Sequence, residues 1–350
     1  MDTPEGPVDW DLAARIAGRL AAPGPTADRA ELTALVDELR VAAARAAVHA
    51  AAITGLSAAD GTAPEQVSTV LVVDRPRWAL ANAEVFAAMT GPLSATTPSA
   101  ATRSAAAVQV GGVLALLSGK VLGQFDPFSS RDGRGRLLLV APNVLHHERR
   151  LRVDPSDFRL WVALHEQTHA LQFAAAPWLA DHMRSRAAEL MTDLVADKSL
   201  VPRLGELFQA VARAVTGGAD DGIGVLDLLS PRQRVVFEEV GAVMALLEGH
   251  ADVAMDEVGP GVVPSVRKIR KAFEARRDEA AKARGADRVL RRLLGLDTKL
   301  AQYRDGAAFV RAVRKDVGLD GLNAVWTSAD RLPLPQEISD PRAWVRRVHG

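Results

Sequence analysis

The sequence predicts a mainly helical protein of the α+β class, with a small β-sheet and a largely helical remainder. Two observations support this fold class. Segments with apolar residues at three- and four-residue spacing occupy most of the chain, and only two short runs are typical of strands. The 350 residues are 48% hydrophobic and 25% charged, which is the composition of an ordinary globular protein with a sizeable core.

The N-terminal part is expected to be helical. Residues 9–20 and 28–52 are rich in alanine, leucine and arginine, and their apolar residues recur with helical spacing. We expect residues 1–60 to form an N-terminal helical segment and residues 61–350 to form the domain that carries the site. Neither an internal repeat nor a low-complexity linker separates them, so the sequence favours one compound domain.

Two short segments are predicted to be strands. Residues 67–73 (VSTVLVV) are β-branched and end at Asp74, which can cap a helix that begins near Trp78. Residues 137–141 (LLLVA) form the second expected strand and are followed by Pro142.

Beyond residue 154 the pattern is helical almost to the end of the chain. Helices are expected to begin at Asp154-Pro155 and at Ser230-Pro231, with the glycine-rich residues 217–224 between them. Residues 268–292 mix acidic and basic side chains, which is typical of a solvated helix face.

Composition argues against several partners and locations. The 43 basic residues balance 43 acidic residues, so we expect binding neither to nucleic acid nor to an anionic membrane. The first residues are acidic and include Pro4 and Pro7, unlike a secretory signal, so a cytoplasmic location is expected. The most apolar run, residues 105–117, is shorter than the roughly 20 residues that span a bilayer and is expected to be a buried helix. The oligomeric state is not predicted.

The strongest chemical signal is the sequence His165-Glu166-Gln167-Thr168-His169 in an apolar helical stretch. Residues four apart share a helix face, so His165 and His169 can both point at one zinc ion (Zn²⁺). Glu166 lies one residue round the helix, where it can act as general base on a water molecule that the metal activates. Such polar groups are rarely buried in an apolar helix without a partner.

A catalytic zinc ion needs a third protein ligand, which this chain must provide from elsewhere. The chain has no cysteine, so thiolate ligands and cysteine nucleophiles are excluded. Gln172 and Ala175 stand where the extended metzincin pattern requires glycine and histidine. A glutamate ligand is therefore expected.

Two glutamates are candidates for the third ligand. Glu189 and Glu248 are each followed four residues later by an aspartate, Asp193 and Asp252, that could orient a ligand histidine. Glu189 lies in a more polar neighbourhood, where an exposed carboxylate is ordinary. The surroundings of Glu248 are strongly apolar, so leaving it unpaired costs more and the sequence favours it.

Other polar residues are weaker candidates. Tyr303, the only tyrosine, could donate to the oxyanion formed during carbonyl attack, although a packed helix tyrosine is the more common role. His250 is expected to line a pocket or to support a ligand. The remaining candidates are His146 and His147 for a substrate cleft, and Arg276, Arg277 and Arg304 for a substrate carboxylate.

Several segments are together more specific than the motif alone. They include DRPRWALANAEVF, KVLGQFDPF, VDPSDFRLWVALHEQTHALQF, MALLEGHADVAMD and LLGLDTKLAQYRDGAAFVRAV, and they run from about residue 70 to the end. On these segments the chain resembles the zincin-like metallopeptidases of the DUF2342 family, which is sometimes labelled as associated with biosynthesis of the deazaflavin coenzyme F420. The resemblance implies a helical zincin fold with a small sheet beside the HExxH helix. It also implies zinc ligation by His165, His169 and Glu248, with Glu166 as base.

Three functions from different classes are compatible with these residues. The leading hypothesis is a zinc hydrolase that acts on a peptide or amide. The alternative is a zincin-fold metal-binding or regulatory module with little or no turnover. A di-iron oxidase that uses Glu166 and His169 as an ExxH pair is disfavoured, because such bundles need two of these motifs and the sequence has one.

Overall fold

A computed structural model of the chain describes residues 8–90, 99–129, 134–196, 230–281 and 296–350. The glycine-rich residues 217–224 lie outside the described residues. The chain divides into two compact units. The first comprises Met1–Arg184 and Ala254–Ile269, and the second comprises Ser185–Val253 and Arg270–Gly350. The boundary that the sequence suggests after residue 60 stays a prediction.

The described part of the chain is mainly helical, as predicted. In chain order the helices are α1 (Trp10–Leu20), α2 (Arg29–Thr54), α3 (Arg75–Thr90), α4 (Ala100–Ser118), α5 (Ala141–Leu151), α6 (Pro155–Ala175), α7 (Trp178–Ala196), α8 (Pro231–Glu257), α9 (Val266–Ala281), α10 (Leu296–Asn323), α11 (Pro335–Ser339) and α12 (Pro341–His349). Short 3-10 turns span Pro64–Gln66, Ala324–Trp326 and Ala329–Arg331.

Aspartate caps fix the starts of several helices. The side chain of Asp9 accepts from the backbone N–H of Leu12 at 2.8 Å, and that of Asp28 from Glu31 at the same distance. Asp74 also caps as predicted, but α3 begins directly after it at Arg75 and not near Trp78.

The sheet has three described strands in the order β1-β3-β2. Strands β1 (Ser68–Val73) and β3 (Gly135–Val140) are parallel, and β2 (Gly123–Asp126) runs antiparallel to β3. The two predicted strands are confirmed. Strand β2 was not predicted, because its sequence GQFD has no β-branched residue and its extended form depends on pairing with β3.

Helix α6 is held in the first unit by buried polar contacts on several sides. Gln167 donates to the carbonyl of Ala43 on α2 at 3.1 Å and accepts from the hydroxyl of Ser68 on β1 at 3.4 Å. Arg159 donates twice to Glu148 on α5, at 3.0 and 2.6 Å, and both side chains are buried. These contacts fix the rotation of α6 about its axis.

The apolar helix α4 is buried along one face only. Ala107, Leu114 and Ala115 are buried within the first unit, whereas Val108 and Leu116 are exposed. The expectation of a buried helix is therefore correct for one face and wrong for the other. Of the helices described, α4 has the length and apolar composition that a membrane crossing requires.

In the second unit, α8 and α10 contact each other through two glycines. A Cβ added to Gly249 would overlap the backbone of Gly306, and one added to Gly306 would overlap the carbonyl of Ala245. The two helix backbones therefore touch directly at this point.

The C-terminal helices of the second unit are joined by an ion pair whose carboxylate is buried. Arg347 on α12 donates to both carboxylate oxygens of Glu337 on α11, at 2.7 and 2.6 Å, and also to the carbonyl of Leu332 at 2.9 Å. Glu337 itself is buried.

Candidate metal centre

Helix α6 brings the two motif histidines together. His165 and His169 lie one turn apart and are half-buried, and their Nε2 atoms are 3.1 Å from each other. Two nitrogens bound tetrahedrally to one zinc ion at about 2.0–2.1 Å would be about 3.3 Å apart. The arrangement of the two imidazoles therefore fits a shared zinc ion.

Glu248 on α8 completes a set of three side chains. Ligand atoms of His165, His169 and Glu248 all lie within 4.8 Å of one another. Met255, seven residues after Glu248 and hence on the same face of α8, places its Sδ 3.2 Å from Nδ1 of His165. Two imidazole nitrogens and one carboxylate oxygen match the donor set of a catalytic zinc site.

Glu189, the other candidate ligand, has different partners. Its carboxylate forms ion pairs with Arg186 at 3.2 Å and with Arg232 at 3.1 Å. Among the described residues, the group of three side chains close enough to hold a metal contains Glu248 and not Glu189. The side chain of Asp193, its suggested companion, lies outside the described residues.

The residue that contacts a ligand histidine differs from the one suggested by the sequence. Asp252 accepts a hydrogen bond from Arg270 at 2.7 Å. Nδ1 of His169 instead contacts Oε1 of Gln172 at 2.9 Å, and Gln172 is completely buried. The sequence signal for this contact was the spacing of three residues on one helix, which places the two side chains on the same face.

Glu166 is buried on the side of α6 that faces β2. A Cβ added to Gly123 would lie 2.6 Å from Cγ and 2.8 Å from Oε1 of Glu166. Such separations are shorter than a van der Waals contact, so a side chain at residue 123 would require the Glu166 carboxylate or the strand to shift. Sequence reasoning missed Gly123 because it did not predict β2.

The other histidine candidates lie in helices. His250 is buried on α8 with its ring centroid 5.4 Å from that of Trp326. His146 and His147 are in α5, with ring centroids 5.1 Å apart, and His147 is buried. Burial makes His147 a poor fit to the predicted cleft role.

Four remaining candidates belong to two helices of the second unit. Tyr303 and Arg304 belong to α10, and Arg276 and Arg277 belong to α9. Their side chains lie outside the described residues, so the roles suggested from the sequence stay predictions.

An HExxH helix beside a small sheet, with a glutamate from another helix near both histidines, defines the class of zincin-type proteins. A family comparison agrees: the model of the zincin-like metallopeptidase family matches residues 8–345. The chain belongs to this family, which confirms the resemblance to zincin-like metallopeptidases.

One solved structure is similar over nearly the whole chain. It is a protein from Chloroflexus aurantiacus described as a "putative hydrolase with a novel fold", with 29% sequence identity and a TM-score of 0.65. The similarity covers 98% of the present chain and 99% of that protein. No curated protein sequence matches the chain.

Proposed function

We propose that the chain is a zinc-dependent hydrolase that cleaves peptide or amide bonds. The observation that carries the proposal is the convergence of His165, His169 and Glu248, with ligand atoms within 4.8 Å of one another, beside the adjacent carboxylate Glu166. Membership of the zincin-like metallopeptidase family supports it, as does the similarity to a protein described as a hydrolase.

Each motif residue has a distinct role in this proposal. His165, His169 and Glu248 would hold the metal. A zinc ion bound there would lower the pKa of a water molecule and polarise the substrate carbonyl. Glu166 takes the proton from the water and then delivers it to the leaving nitrogen. Tyr303 is retained as a candidate donor to the oxyanion.

Strand β2 suggests how a peptide would be aligned. Among the described strands, β2 lies at an edge of the sheet and pairs with β3 alone. An extended substrate that adds to this edge would gain backbone hydrogen bonds. Because Gly123 lies against Glu166, the backbone of such a substrate would run close to the base.

Metal analysis and a cleavage assay test the proposal. Zinc content would be measured for wild type, Glu248→Ala and Glu189→Ala, and a peptide library would be incubated with wild type and Glu166→Gln. We expect zinc near one equivalent in wild type and Glu189→Ala, its loss in Glu248→Ala, and cleavage by wild type only. Zinc without cleavage would support the binding-module alternative, and iron or no metal would refute the zinc site.

A further inference from the structure

Gln172 lies one turn after His169 on the buried side of α6. Its Oε1 is 2.9 Å from Nδ1 of His169, and the residue is 0% exposed. A buried amide contributes to stability only when its polar atoms are bonded, so a glutamine here is costly unless the contact serves the fold or the site.

The contact determines which nitrogen of His169 carries the hydrogen. An amide oxygen can only accept, so Nδ1 must donate to it. In a neutral imidazole with hydrogen on Nδ1, the lone pair is on Nε2. Nε2 of His169 lies 3.1 Å from Nε2 of His165. The metal would bind to these two nitrogens, so the lone pair of His169 is on the atom that ligation requires.

The Nδ1 atom of His165 contacts a weaker acceptor than the Nδ1 atom of His169 does. Nδ1 of His165 contacts the thioether of Met255 at 3.2 Å, and a thioether sulfur is a poor acceptor. The amide of Gln172 therefore offers His169 a stronger orienting bond than Met255 offers His165.

We propose that Gln172 is a positioning residue of the metal centre, which selects the Nδ1–H tautomer of His169 and fixes its ring for ligation. The inference rests on the proposed zinc site. Removing a hydrogen-bond partner of a ligand histidine typically weakens metal binding by about 10- to 100-fold. We expect a loss in this range for Gln172→Met, which keeps the approximate volume and removes the acceptor oxygen.

Gln167 supplies a matched control. It lies on the same helix, is 1% exposed, and bonds to Ala43 and Ser68 and not to either histidine. Gln167→Met removes an equally buried amide. Zinc affinity would be measured by competition with a chelator, and the thermal midpoint of each metal-free protein would report the effect on the fold.

A positioning role and a purely structural role of Gln172 predict different results. Positioning predicts weaker zinc binding in Gln172→Met but not in Gln167→Met, with lower thermal midpoints in both. Gln172→Glu keeps an acceptor oxygen and should keep the affinity, and it serves as the second variant if Gln172→Met does not fold. Unchanged affinity in Gln172→Met, equal losses in both methionine variants, or a loss in Gln172→Glu equal to that in Gln172→Met would overturn the inference. Wild type that binds no zinc would refute the proposed function itself.

Discussion

Gly123 lies against Glu166 so closely that a Cβ at residue 123 would be 2.8 Å from the carboxylate oxygen Oε1. The strand therefore limits where the proposed base can point. A methyl group at this position must displace either the strand or the carboxylate.

We predict that Gly123→Ala lowers kcat for peptide cleavage by about 100-fold, which is the cost of misplacing a reacting group by about 1 Å. Zinc content should stay at the wild-type level, because the three atoms nearest to a Cβ at residue 123 all belong to the base Glu166. Steady-state kinetics and elemental analysis would check both points. Gly112→Ala is the control, since a Cβ there meets nothing within 4 Å; wild-type kinetics for Gly123→Ala would contradict the prediction.

Glu166→Gln should separate metal binding from turnover. The amide keeps the shape of the side chain but cannot take a proton, so we expect a loss of about 10²- to 10⁴-fold in kcat with zinc retained. Single-turnover assays on the zinc-loaded protein would measure it. A variant with zinc and full activity would remove Glu166 from the mechanism.

The buried ion pair between Arg159 and Glu148 should matter for stability, since both side chains are at most 10% exposed. Arg159→Met leaves Glu148 buried without its bidentate donor, so we predict a loss of about 3–5 kcal/mol in the free energy of unfolding. Replacing both residues by methionine should cost less than the single change. Urea unfolding would compare the two, and equal or larger cost in the double variant would argue against this account.

The ion pair of Arg347 and Glu337 predicts that the stability of the protein depends on pH. Burial raises the pKa of Glu337, but hydrogen bonds from Arg347 and from the backbone of Leu334 outweigh this effect and hold the pKa below its ordinary value of 4.5. The stability contributed by a carboxyl group with a lowered pKa is present above about pH 4.5 and is lost as pH falls through the folded-state pKa.

We therefore expect wild type to exceed Glu337→Gln in stability at neutral pH, and the difference to shrink in acid. Urea unfolding at pH 7 and near pH 3 would measure it. Glu189→Gln is a suitable comparison, because that carboxylate is paired with arginine but is 27% exposed. A difference that stays constant with pH would show that the pair does not act through the charge of Glu337.

The contact between α8 and α10 should be intolerant of added volume. A methyl group at residue 306 overlaps the carbonyl of Ala245, which a rigid helix cannot move aside. We predict that Gly306→Ala lowers stability by about 1–3 kcal/mol, the usual cost of overpacking, despite the higher helix propensity of alanine. Thermal unfolding would test it, and a more stable variant would show that the helices separate easily.

The local features were predictable from sequence because they depend on neighbouring residues. The capping aspartates before α1, α2 and α6, and the two histidines of α6, are set by spacing along one helix. The preference for Glu248 over Glu189 came from its apolar surroundings, and the structure places Glu189 in arginine ion pairs.

The features that were missed depend on contacts between distant segments. Strand β2 has a polar, glycine-containing sequence and becomes extended through pairing with β3. The role of Gly123 could not be found without that strand. Burial on one face of α4 likewise depends on which helix packs against it, and the apolar sequence alone does not identify the exposed face.

The two touching glycines of α8 and α10 also constrain which substitutions this protein can accept during evolution. Gly249 follows Glu248 directly, so the backbone of α10 meets α8 beside the proposed ligand. A larger residue at either glycine is not offset by a smaller one at its partner, because neither has a side chain to remove. We expect related chains to keep glycine at both positions or to change both positions together. This pair should therefore be left unchanged in any redesign of substrate preference.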